Sequence, residues 1–226
     1  MIASELVYLF RSEVGDTYPT YNWSDDEVLI YLSDAYAMFF RLIGGIADFL
    51  SEACEFFFIL LVELVDLHPS ILRIMGVTRR SDTRPVDVIN STDVAGMRTT
   101  DYGLVKQLIL DDTPGEVRYL VHGMQRGKAR LVQVPTYDDY LDLHIYRLPL
   151  ITTLSALDEL VDMAGYDQLH LLDWMKHLAF KKNDPVTFDP KVSEMCAQNF
   201  RAHCSQVKAE FERYKHKPRS VTYGGL

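Results

Sequence analysis

Helices towards both ends of the chain and strands between them predict an α+β fold. The expected form is an antiparallel bundle of about four helices, with a small antiparallel β-domain inserted and an extended C-terminal arm. Three observations carry this. Apolar residues recur every three or four places in 28–42 and again in 169–214. Between 53 and 150 the texture changes to short runs of β-branched and aromatic residues divided by turn signals. After Lys215 the periodicity stops, because Pro218 forbids helix and Gly224 and Gly225 loosen the backbone. The expected division is 1–50 with 151–216 for the bundle, 51–150 for the β-domain and 217–226 for the arm.

In order, residues 2–13 read as a first helix with Leu6 and Phe10 on one face, ended by Gly15. Ser24 opens the second, with Glu27 three places on as a capping box and Trp23 placed to staple the entry. Its body carries Val28, Leu32, Ala35, Phe39 and Leu42 on one stripe, widened by Tyr31, Met38 and Phe40. A helix apolar on several faces lies mid-bundle or between subunits. Strands are expected at 54–62, 71–80, 85–90, 116–122, 128–134 and 140–148, and a helical turn at 91–97. Leu141, Leu143 and Ile145 alternate with polar partners, so that strand is half-buried, and RLVQVP at 130–135 pairs with it through a turn at 136–139. Residues 151–165 connect to a penultimate helix at 166–184, with Leu169, Leu172, Met175, Ala179 and Phe180 inward. Asp189 then caps a last helix, with Pro190 at its first position and Val192, Cys196, Phe200, Val207, Phe211 and Tyr214 inward over about 40 Å.

The chain has 226 residues, 48% of them apolar, with 13 Tyr and 11 Phe, enough for a full core and large aromatic contacts. A net charge of −9 argues against a free-standing nucleic-acid binder, yet suits a wall that DNA passes without sticking. Cys54, Cys196 and Cys204 show no CxxC spacing, so a disulfide framework or zinc ribbon is not expected and a reducing compartment fits. No secretory signal is expected, because Glu5 interrupts the first apolar residues and no basic stretch precedes them. The greasiest run, 56–62, is too short for a membrane span and is bracketed by Glu52, Glu55 and Glu63, so no membrane partner is expected.

Chemistry is sparse. There is no phosphate-binding glycine loop, no GxSxG elbow and no HExxH, so no catalytic residue and no cofactor are expected. His170, Asp173 and His177 share one helical face and define a competing reading, a metal-dependent hydrolase. Their seven-residue span of about 10 Å is too long for one ion without help from another helix. His68 belongs to a turn, His144 to a solvated strand face, and Asp138, Asp139 and Asp142 to a solvated acidic turn. The sharper signal is the arm, where Arg213, Lys215, Lys217 and Arg219 are basic in an acidic chain and Val221, Tyr223 and Leu226 alternate with small polar residues. Extended, the last eleven residues, 216–226, span about 35 Å and suit strand addition or groove binding on another chain.

Further marks occur together and in order over most of the length. They are Asn22-Trp23-Ser24-Asp25 before an apolar helix, HPSIL at 68–72, DVIN at 87–90, IYRLPL at 145–150, LLDWMKHLAF at 171–180 and the ending HKPRSVTYGGL. In these the chain resembles the head-to-tail adaptor proteins of tailed bacteriophages. The resemblance implies a non-enzymatic virion protein, assembled in the host cytoplasm and placed at the head–tail junction. Such proteins form a homo-oligomeric ring, typically of twelve copies, beneath the portal protein ring. They lengthen the channel through which genomic DNA passes without sequence-specific binding, and offer a platform to the tail or nozzle protein below. In related adaptors the C-terminal segment docks on the portal, a role carried here to Lys217, Arg219, Val221, Tyr223 and Leu226. Contacts between copies are expected at Tyr31, Phe39, Phe40, Trp174, Phe211 and Tyr214. A neck or tail-completion protein lower in the same machine is the nearer alternative.

Overall fold

The computed structural model describes residues 1–90 and 113–215. The chain is α+β and divides into two compact units, one made of 1–44 with the residues from 149 onward, the other of 45–148. The expected turn at 91–97 lies outside the described residues.

The helical unit holds α1 (Ala3–Val14), α2 (Asp25–Ile43), the single turn α3 (Gly165–Gln168), α4 (Leu171–Lys181) and α5 (Pro190–Lys215). Helix α4 touches α1, α2 and α5, and α2 touches α5. Leu6, Phe10, Val28, Leu32, Phe39, Leu171, Met175 and Phe200 supply its core. Both helix starts follow their local chemistry. The Ser24 hydroxyl accepts from the Glu27 amide at 3.2 Å, and the Asp189 carboxylate accepts from the amides of Lys191 and Val192 at 3.0 and 3.1 Å. Trp23 is buried between Phe10 and Phe180, edge-on to both at 5.8 and 6.0 Å. Beside it the buried Arg11 donates to Asp16, Asp25 and the Trp23 carbonyl and lies over the Tyr21 ring, which fixes the α1–α2 loop. The connector at 151–164 is held rather than loose. Leu154, Leu160 and Met163 are buried, and the Gln168 amide donates to the carbonyls of Leu160 and Met163, both at 3.0 Å. The penultimate helix differs from expectation: it breaks after α3, so Leu169 is exposed and Leu171 takes the inward position.

The second unit contains β1 (Ile46–Asp48), a 3-10 turn at Glu52–Cys54, β2 (Glu55–Phe58), β3 (Leu64–Asp66), β4 (Ile71–Arg79), β5 (Pro85–Asn90), β6 (Pro114–Gly115), β7 (Tyr119–His122), β8 (Lys128–Val132), β9 (Val134–Pro135) and β10 (Asp139–Arg147). Its main sheet runs β1-β10-β4-β5-β7-β8-β3, with β2 also on β10, and β6 and β9 form a separate parallel pair. Strand β10 is central. Its apolar face, Leu141, Leu143 and Ile145, is buried, and Arg147 ends that face in an ion pair with Asp48. Opposite it, Ile74 and Val77 are three apart on β4 but face two residues of β10, a bulge that brings both side chains inward.

Four expectations are corrected. Strand β8 pairs with β7 and β3, not with β10, because Gln133 at φ 62° turns the chain between β8 and β9. The β5–β7 pair is parallel, so the sheet is mixed. The expected strand at 54–62 stops at Phe58, and 45–50 belongs with the sheet rather than the bundle.

Candidate functional site

The remainder of that greasy run forms an exposed ridge. Along β2 the side chains alternate, so Phe56 and Phe58 point inward while Phe57 is 48% exposed. The chain then turns instead of pairing onward. The Leu60 amide donates to the Asp138 carboxylate at 2.6 Å, the Leu61 amide to the Pro135 carbonyl at 3.0 Å, and the Val62 amide to the Ile59 carbonyl at 3.1 Å. Leu61 reaches φ 64°, the left-handed region that favours glycine or asparagine, and its side chain is 64% exposed. Ile59, Leu60, Val62 and Leu64 are exposed beside it. The exposed Tyr140 ring stands 4.9 Å from Phe57 across the β2–β10 pair. Chain order and pairing thus put apolar and aromatic side chains on one held, water-facing turn.

The residues expected between copies fall into three groups. Phe39, Phe40 and Trp174 are buried within the helical unit, so their rings are covered by their own chain and a neighbouring copy would not meet them directly. Trp174 also donates its indole N–H to Asp34 at 2.8 Å and packs on Phe200. Tyr31 is half-buried and donates to Glu27 at 2.5 Å, while Phe211 is exposed on α5. The side chain of Tyr214 and the arm residues Lys217, Arg219, Val221, Tyr223 and Leu226 lie outside the described residues.

The residues of the hydrolase reading do not converge. Among the described residues no group of three or more His, Cys, Asp or Glu is placed to hold a metal. His177 is buried between α4 and α5 and meets the Ser193 hydroxyl at 3.0 Å. His170 turns elsewhere, stacking on His203 of α5 at 3.6 Å and 19°. His203 Nε2–H donates to the buried Asp167 carboxylate at 2.8 Å. Burial pulls the His170 pKa below its ordinary value and His203 adds to this, while Asp173 and Asp167 oppose. Burial pushes the Cys204 thiol up to about 12 and raises Cys54 and Cys196 too, so each is a poor nucleophile. The sequence pointed to His170 but not to His203 and Asp167, which are 36 residues apart and share no helical face. The ridge was legible only as a greasy run, since nothing in its pattern placed a turn inside it. No protein-family model matches this chain, and no curated protein sequence matches it.

Proposed function

We propose that this protein is a structural connector of a tailed-bacteriophage virion, a ring-forming adaptor beneath the portal that extends the DNA channel and carries the tail. In this reading α1, α2, α4 and α5 form an antiparallel four-helix bundle, and the sheet unit brings the contact between copies. The arm residues Lys217, Arg219, Val221, Tyr223 and Leu226 dock on the portal ring, and DNA passes an acidic wall without sequence-specific contacts.

The observation that carries the reading is the ridge. Burying an apolar side chain on assembly is favourable at roughly 25 cal/mol per Å² of apolar surface, whereas leaving it in water yields nothing. Leu61 adds a cost, since a non-glycine residue in the left-handed region loses about 1 kcal/mol. A strained, exposed leucine among exposed Ile59, Leu60 and Val62 contributes little to folding of the isolated chain. It gains a role when another chain covers it. The motifs shared with head-to-tail adaptors supply the identity of that assembly.

The test uses the full chain and the double variant Leu60→Asp/Leu61→Asp. Sedimentation is measured alone and with the portal ring of the same virus. The wild type is expected to enter large assemblies, and the variant to stay monomeric with unchanged thermal stability. A wild type that remains monomeric under both conditions, or a variant that assembles like it, overturns the proposal. Deleting 217–226 is expected to abolish portal binding without lowering the melting temperature.

A further inference from the structure

The stack of His170 and His203 has an unusual charge balance. His170 stands at the turn between α3 and α4, and His203 on α5, so the two rings join separate elements. Rings with centroids 3.6 Å apart tolerate one imidazolium but place two positive charges in contact when both are protonated. One counter-charge is close, since the Asp167 carboxylate accepts from His203. The next, Asp173, is 4.0 Å from His170 Nδ1 but is shared with Lys176, whose ammonium is 3.7 Å away and also pairs with Glu13. The other neighbours do not help. From α2 the Phe39 ring, which is apolar, stacks on His203. The Met1 ammonium is held by Gln168, next to Asp167, and adds positive charge. The Cys204 thiol keeps its proton. Among the described residues, a second proton on the stack therefore has no undivided partner.

Position gives this consequence. On α5, Phe200, Cys204 and Val207 are buried, and every described side chain from 208 to 213 is exposed. His203 thus sits in the last anchored stretch of the helix.

We propose that the His170–His203 stack is a proton-operated clasp that ties the far half of α5 to the α3–α4 turn near neutral pH and lets it go when both rings are charged. The rings part, the Asp167 contact is retained by His203 or lost with it, and α5 beyond about 203 frays. The device belongs to the folded chain and does not depend on ring assembly.

Amide hydrogen exchange of 204–213 in the full chain, corrected for intrinsic rates, tests this at pH 7 and pH 5. The comparison is His170→Phe, which keeps an aromatic ring in the stack and removes its proton. Wild-type protection is expected to fall several-fold on acidification, because the opened chain takes up the second proton that the stack resists. His170→Phe is expected to hold its protection at both pH values. Equal pH responses in the two proteins, or none in the wild type, overturn the proposal. Should the variant fail to fold, the ring resonances of wild-type His170 and His203 decide. Two well-separated titration steps sustain the clasp, and one shared step near the ordinary histidine value refutes it.

Discussion

Replacing Arg11 by Met isolates the electrostatic hub of the helical unit. The methionine fills the volume of the arginine stem, so the change removes mainly the guanidinium. That group is buried, 2.7 Å from Asp16, 2.6 Å from Asp25 and 2.9 Å from the Trp23 carbonyl. Asp25 is largely exposed, so its loss counts for less than about 1 kcal/mol. Asp16 is different, for its side chain is 4% exposed and loses its cation. Removing one partner of a buried pair costs about 3–5 kcal/mol. Asp16 keeps the Asn22 backbone amide at 2.9 Å and the side-chain amide at 3.3 Å, which favours the low end, about 3 kcal/mol. For a chain of this size that lowers the melting temperature by roughly 6–12 °C. Trp23 and Trp174 are the only tryptophans and both lie in the helical unit, so fluorescence during urea unfolding reports that unit alone. Adding Asp16→Asn should recover about half the loss, because a neutral amide is cheaper to leave unpaired than a carboxylate. A single variant less than 1 kcal/mol below wild type, or a double variant that falls further, would refute the reasoning.

Other outcomes follow from single positions. Gly45→Ala should destabilise the sheet unit by about 1–3 kcal/mol, because at φ 96° an added Cβ would stand 3.0 Å from Leu72 and 3.1 Å from the Arg147 carbonyl; thermal unfolding checks it. Burial raises the Asp48 pKa, but Arg147, Ser51 and the amide of Leu50 outweigh it and hold the carboxyl well below the usual carboxylate range. Its folded value is lowered, so it stabilises above about pH 4 and the contribution is lost as pH falls below that. Asp48→Asn should accordingly lower stability at pH 7 and flatten its acid dependence, read as β10 amide exchange from pH 5 to pH 2. Leu61→Asn should leave the melting temperature unchanged or raise it slightly while weakening assembly, since asparagine tolerates the left-handed region. A clear loss of monomer stability would mean that the leucine serves the fold.

Local rules carried much of the reading. Strand 85–90 was legible because Pro85 and β-branched residues bound it, and α5 because Asp189-Pro190 is a start signal that needs no tertiary partner. Leu141, Leu143 and Ile145 were legible because alternation reports burial directly. Pairing was not. Which strand lies beside β10 depends on a backbone turn at Gln133, a residue type that does not announce positive φ, and on segments about a hundred residues away such as β1. The run at 54–62 failed for a related reason: Leu61 carries a turn conformation without turn chemistry. The helix break before His170 was hidden as well, because Leu169 and Leu171 keep an apolar texture through it. Residues brought together from distant places, His203 with Asp167 and Arg79 with Tyr137, left no trace in any window of sequence.

Helix α5 continues for eight residues past Val207, a rod of about 12 Å whose described side chains, from 208 to 213, are all exposed. Alone in solution a peptide of that size would be random, since starting a helix is the unfavourable step. Here the anchored turns have already started it, and each further residue merely extends a spiral that exists. The far end of α5 is thereby a helix kept by its own beginning, with no core of its own beneath residues 208–213.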